Sequence, residues 1–163
     1  MREKISNHKN STTRLRTVTS KDESLLLRWA NDPSVRQMAF NSTEISVEDH
    51  KNWFNSKLND LKSSIYILED FDTPVGQIRF DFNEEDQYFY IDYSIDQDSR
   101  GKGYGNFILS EGMELHRKKN IEGKNYKALV KESNQSSIRC FIKCGFRQIS
   151  KSTGHIVFVK DGV

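Results

Sequence analysis

Ser99-Arg100-Gly101-Lys102-Gly103-Tyr104-Gly105 is the stretch from which the rest of the chain can be read. Its glycines, at every second position, leave the backbone bare of side chains. Upstream, Tyr88 to Ile95 has the pattern of a strand; downstream, Tyr104 to Lys119 has the pattern of a helix. A glycine turn that opens a helix can aim successive N–H groups at one anion, and the helix start adds the positive end of its dipole. A flexible glycine turn that happens to precede a helix fits the same spacing. The stretch is not a P-loop, because Lys and Ser/Thr do not follow its last glycine. Nor is it a dinucleotide-binding turn, since Gly-x-Gly-x-x-Gly is absent.

Working outward toward the N-terminus, Val75 to Phe82 and Tyr88 to Ile95 read as strands joined by the acidic loop Asn83-Glu-Glu-Asp-Gln87. The turn Asp70-Phe-Asp-Thr-Pro74 leads back to a strand at Ile65 to Leu68. Val47, His50, Phe54, Leu58 and Leu61 recur at helical spacing behind the capping box Ser46-Val-Glu-Asp49, with Trp53 beside them as a core residue. A second capping box, Ser20-Lys-Asp-Glu23, opens a helix that buries Leu25, Leu26, Leu27, Trp29 and Ala30. Asn31-Asp32-Pro33 stops it, and Pro33 starts a short helix over Ser34 to Met38. Leu15 and Val18 mark a first strand. Met1 to Thr13 is polar, without periodicity, and reads as a flexible tail on a single domain spanning residues 14–163.

Toward the C-terminus, a helix carries Phe107, Ile108, Met113 and Leu115, and Tyr126 to Val130 is a strand. Ser137 to Cys144 is a helix closed by Gly145 in the left-handed conformation, with Phe146 folding back onto it. Ile156 to Val159 closes the sheet.

Composition excludes several function classes. The 163 residues suit one domain, and a net charge of +2 is too small to argue for nucleic acid. Charged residues, 29% of the chain, are mixed with Phe, Tyr, Leu and Ile, which argues against disorder. No apolar run approaches membrane-spanning length, and the N-terminus lacks the apolar core of a secretory signal, so a cytoplasmic location is expected. Cys140 and Cys144 have no nearby His partners and read as half-buried free thiols, with no metal.

Arg100-x-x-Gly103-x-Gly105 resembles the pyrophosphate-binding signature of the GNAT superfamily of N-acetyltransferases. The later run Glu132-Ser-Asn134-Gln-Ser-Ser-Ile138-Arg-Cys-Phe141-Ile-Lys143-Cys-Gly145-Phe146 resembles the second signature of that superfamily, in the expected order. The resemblance implies an α/β fold: a mixed, mostly antiparallel twisted sheet with a splayed central strand pair and helices on both faces. It implies acetyl-CoA as co-substrate and direct transfer of acetyl to a primary amine. The pantetheine arm would lie between Tyr93–Asp96 and Leu129–Glu132, with a backbone N–H near Ile95 polarising the thioester carbonyl. Gly101, Gly103, Tyr104 and Gly105 would hold the pyrophosphate between Arg100 and Lys102. Asn134, Phe141 and Lys143 would line the cofactor, although an N-cap role suits Asn134 equally well. Many members carry a tyrosine as general acid where this chain has Phe141; Ser137 or solvent would then serve the thiolate. Glu132 is the first candidate for general base, with Asp92 and Asp81 behind it.

The segment from Leu25 to Phe54 locally resembles acetyltransferases of the pseudaminic acid pathway, which act on the 4-amino group of a UDP-linked amino sugar. On that reading Trp29, Arg36, Phe40, Asn41 and His50 contact the substrate. The alternatives are a ribosomal-protein N-terminus, another small-molecule amine, or a catalytically silent acyl-CoA-binding module. Partners are a small-molecule amine, with neither nucleic acid nor membrane, and the chain is a monomer or homodimer.

Overall fold

Alternating side chains along two long strands, β3 (Thr73–Asn83) and β4 (Tyr88–Ile95), organise the molecule. The computed structural model describes residues 12–119 and 125–162. Before this hairpin come β1 (Thr13–Thr17) and β2 (Ser63–Asp70); after it come β5 (Tyr126–Lys131), β6 (Arg147–Ser152) and β7 (His155–Lys160). They form one sheet in the order β1-β2-β3-β4-β5-β7-β6, antiparallel except at the β4–β5 junction. The helices are α1 (Glu23–Ala30), α2 (Pro33–Met38), α3 (Val47–Leu58), α4 (Tyr104–Lys119) and α5 (Gln135–Lys143).

Two cores flank the sheet. Ile78, Phe80, Ile91 and Phe89 pack with Ile108, Leu109 and Met113 of α4 and with Phe141 of α5. On the opposite face, Ile65 and Ile67 of β2 pack with Leu26 and Trp29 of α1 and Phe54 of α3. Strand alternation sends adjacent residues to these two faces, so α1 to α3 lie on one side of the sheet and α4 and α5 on the other.

Local chemistry explains most boundaries. Ser46 accepts from the Asp49 N–H at 3.1 Å and caps α3 as expected. Gly145 has φ +86°; its N–H donates to Ile142 and that of Phe146 to Phe141, while the Phe141 and Phe146 rings meet edge-on at 5.0 Å. This is a glycine-terminated helix end with its apolar contact. Three expectations need correction. The first cap is Thr19, whose N–H donates to Asp22 Oδ2 at 2.7 Å, because Ser20–Asp22 form a 3-10 turn ahead of α1. Leu61 is fully exposed, since α3 ends at Leu58. Strand β6 escaped notice because all six of its residues are exposed and mostly polar, as suits an edge. Of the proposed tail, Met1 to Thr13, residues 1–11 lie outside the described residues, while Thr13 opens β1 and both Thr12 and Thr13 donate to Asp70. Among the described residues no helix is long and apolar enough to cross a membrane.

Candidate active site

The glycine stretch leaves β4 through a 3-10 turn, Gln97–Ser99, capped by Asp96. Trp29 Nε1 donates to Asp96 Oδ1 at 2.8 Å and ties α1 to this turn. Gly101 and Gly103 take φ +76° and +85°, where L side chains are strained, and a Cβ on either would meet no protein atom. The bare backbone therefore faces open space at the start of the sixteen-residue α4. Arg100 is braced by the end of β4, Nε donating to Ile95 O at 3.1 Å, and by Ser34 Oγ at 2.8 Å from Nη1.

Beside this loop the sheet opens. Only Phe89↔Tyr126 and Tyr90↔Lys127 pair across β4 and β5. The Phe89 N–H donates to Asn125 O on the β5 side, and the Asp96 N–H to Val75 O on the β3 side. Strand alternation therefore points the Tyr93 and Ile95 N–H groups into the gap. Facing it from α5 is Ser137, whose Oγ lies 3.1 Å from the Tyr93 hydroxyl, with Cys140 and Phe141 beside them. Burial pushes the Tyr93 phenol far above its ordinary range, so it remains a neutral O–H.

A cavity of about 1030 Å³ runs from the glycine loop through the gap to the face covered by α1, α2 and α3. On that far side its floor is polar. Gln77 Nε2 donates to Asp92 Oδ2 at 3.0 Å and lies 3.4 Å from Ser94 Oγ. Arg79 Nε donates to Asp81 Oδ2 at 2.6 Å, and its guanidinium carbon sits 5.1 Å from the centre of the Trp53 ring. His50, 3% exposed, is stacked against Phe54 and tilted against Trp53. Neither of its ring nitrogens has a hydrogen-bond partner among the described residues, and burial lowers its pKa, which keeps the ring neutral at neutral pH.

Many of the expected site residues line this one cavity: Asp92, Ile95, Arg100, Gly101, Gly103, Tyr104, Gly105, Asn134, Phe141 and Lys143, with Trp29, Arg36 and His50. Asn134 caps α5, accepting from the Ser137 N–H at 3.2 Å, and in that role still lines the cavity. Others lie elsewhere. Glu132 is off the cavity wall and pairs with Lys151 at 2.6 Å. Asp81 is held by Lys57 at 2.7 Å and by Ser63; although burial pushes its carboxyl up, Arg79 and these partners bring it below its ordinary value. Lys102 is exposed and not part of the lining, its charge acting on Asp70. Phe40 is 60% exposed and meets His155 edge-on, while Asn41 accepts from the Thr43 N–H in an exposed turn. Arg36 reaches the cavity, but its guanidinium donates to three backbone carbonyls, of Ala30, Asn41 and Thr43, and braces α2 instead of waiting for a phosphate.

Sequence reasoning missed Gln77, Arg79 and Ser94, and took Trp53 for core although it is half-buried on the cavity wall. A signal was present: Gln77, Arg79 and Asp81 alternate with Ile78 and Phe80 in a strand that is not at an edge. Cys140 and Cys144 are half-buried free thiols as expected, and no cluster of His, Cys, Asp and Glu among the described residues suits a metal.

The sequence profile of the acetyltransferase (GNAT) domain matches residues 13–147. No curated protein matches the chain. Among solved structures, spermidine N-acetyltransferase from Vibrio cholerae in complex with CoA and spermine superposes with a TM-score of 0.78 at 15% identity, covering 92% of this chain and 94% of that one. Aminoglycoside acetyltransferase AAC(6')-Ib in complex with coenzyme A gives 0.75 at 20% identity, covering 91% and 94%. Ribosomal-protein-alanine N-acetyltransferase from Brucella melitensis gives 0.76 at 20% identity, covering 91% and 99%. At such identities the likeness is one of fold.

Proposed function

The chain belongs to the acetyltransferase (GNAT) domain family, and from that premise we propose that it transfers acetyl from acetyl-CoA directly to a primary amine of a small polar molecule. One observation carries the reading: a single cavity joins the bare glycine backbone, the open gap between β4 and β5, and the polar face of β3 and β4. A bound acetyl-CoA supplies the activated thioester; the chain's own groups do the rest. Gly101, Gly103 and Gly105 offer backbone N–H groups and a helix start to the pyrophosphate, with Arg100 beside them. The N–H groups of Tyr93 and Ile95 hydrogen-bond the pantetheine amides and the acyl oxygen, where one well-aimed donor contributes about 10²–10³-fold to rate. Asp92, 57% exposed on the acceptor side, takes the ammonium proton directly or through water. Ser137, backed by the neutral Tyr93 hydroxyl, donates to the departing thiolate in place of the phenol that Phe141 lacks.

The finer acceptor implied by the local resemblance, a UDP-linked 4-amino sugar, retains Trp29 and His50 at the cavity. Its other supports weaken, because Phe40 and Asn41 lie outside and Arg36 is committed to backbone. Free Cys140 and Cys144 suit a reducing compartment such as the cytoplasm.

The test begins with the cofactor. Gly103→Val should weaken acetyl-CoA binding at least 100-fold by calorimetry, because the added side chain occupies the space an anion must enter. Gly154→Val is the control: it has φ +87°, its Cβ also meets nothing, and it lies in the β6–β7 turn. Equal affinity losses in both variants would trace the effect to backbone strain and remove the loop from the site. Thiol release with an amine panel then tests transfer; a UDP-4-amino-4,6-dideoxy sugar turned over far better than an N-terminal peptide would support the finer acceptor.

A further inference from the structure

We propose that Arg79 forms an anion subsite in the acceptor half of the cavity, so that the acceptor bears a carboxylate or phosphate within a few bonds of the amine that is acetylated. The inference rests on the acetyl-transfer reading above and narrows its substrate class.

A guanidinium carries five N–H donors in a rigid fork, and buried donors are nearly always matched by acceptors. Arg79 uses Nε on Asp81 Oδ2 at 2.6 Å. No hydrogen-bond acceptor among the described residues meets Nη1 or Nη2; Asp92 Oδ2 is 3.8 Å from Nη1, beyond hydrogen-bond range. Asp81 does not need those donors, because Lys57 Nζ binds its Oδ1 at 2.7 Å. The side chain is only 24% exposed, and that exposure opens onto the cavity wall. Trp53 lies against the guanidinium and limits its movement. The Nη donors of a fixed cation are thus left open beside the cavity, and one parallel pair of them is the geometry that binds carboxylate and phosphate through two bonds.

Neighbouring charge sharpens the class. Asp81 lies off the cavity and is bound by Lys57, which leaves Arg79 and Asp92 side by side on adjacent strands at the cavity wall, with Asp49 of α3 as a further carboxylate of the lining. Asp92 Oδ1 has no partner among the described residues. An acceptor with an ammonium and an anion close together satisfies both Asp92 and Arg79, whereas a polycation meets Arg79 with like charge.

The experiment is thiol release from acetyl-CoA with matched acceptor pairs: amino acids against their carboxamides, aminoalkyl phosphates against the corresponding amino alcohols, and spermidine as the cationic extreme. The wild type should favour the anionic member of at least one pair by tenfold or more in kcat/KM, and the pair concerned distinguishes carboxylate from phosphate. Arg79→Gln should reduce that preference to within about threefold while acetyl-CoA affinity stays unchanged, and Arg79→Lys should restore part of it. A wild type that is indifferent, or that prefers spermidine, overturns the inference while leaving acetyl transfer standing. So does an Arg79→Gln variant that slows both members of each pair equally, since that marks a purely structural arginine. The wild-type comparison decides even if the variants fold poorly. No release with any amine defeats the acetyl-transfer reading and this inference with it.

Discussion

β3 and β4 present two faces of opposite character. Toward α4 they show Ile78, Phe80, Phe89 and Ile91, all buried and packed. Toward α3 they show Gln77, Arg79, Asp92 and Ser94, polar groups whose hydrogen bonds are incomplete. The register Ile78↔Tyr93, Arg79↔Asp92, Phe80↔Ile91 places the two sets in strict alternation. One pair of strands therefore holds the fold together with one set of side chains and leaves the other set free for chemistry. The cavity connects the faces only where β4 parts from β5.

Breaking the apolar face should produce the largest effect. Phe80 is fully buried among Tyr66, His116 and Tyr126. Phe80→Ala should cost about 3–5 kcal/mol in a denaturant titration, the usual range for an aromatic core truncation. The comparison fails if this variant loses activity without losing stability.

Breaking the polar face should do the reverse. Asp92→Asn should lower kcat by about 10²-fold or more, the scale of general-base catalysis, while unfolding free energy changes by less than about 1 kcal/mol, since the side chain is largely exposed. A large stability loss with unchanged turnover would remove Asp92 as base.

The apolar face also contains a buried histidine. His116 is 1% exposed, stacked on Phe80 at 4.3 Å and edge-on to Phe89, with Nδ1 2.9 Å from the Tyr126 hydroxyl. Burial lowers its pKa to about 4. The native state then binds fewer protons than the unfolded chain, whose histidine titrates near 6.5. Its contribution to stability is whole above that pH and is lost as pH falls toward 4, on the order of 3 kcal/mol in all. His116→Phe should flatten much of this slope in unfolding titrations between pH 7 and 4, whereas an unchanged slope would place the acid sensitivity elsewhere.

The smallest effect sharpens the boundary between the faces. Phe141 is buried, touching Tyr93, Phe146 and Phe158. Phe141→Tyr should change kcat by less than about tenfold, or 1.4 kcal/mol, because Ser137 and Tyr93 already present hydroxyls at the gap. A wild type inert toward every amine, with turnover appearing in Phe141→Tyr, would mean that those hydroxyls do not serve the thiolate.

Much of this was legible in the residues themselves. The glycines at 101 and 103 needed positive φ, Ser46 and Gly145 marked helix ends, and the strand alternation of Val75 to Ile95 ran true, because each depends on backbone sterics or periodicity within a few positions. Residues of both signature segments also reach one cavity, as the family resemblance implied. Tertiary structure decided what side chains do once long-range partners compete for them. Arg36 looked free and is taken by three carbonyls; Glu132 looked catalytic and is taken by Lys151. Arg79, which the sequence reading passed over, keeps donors open while Lys57, distant in sequence on α3, binds Asp81. Pairings of that kind form between elements that meet only in the folded chain, so local pattern can nominate a charged residue but cannot say whether its charge is left available.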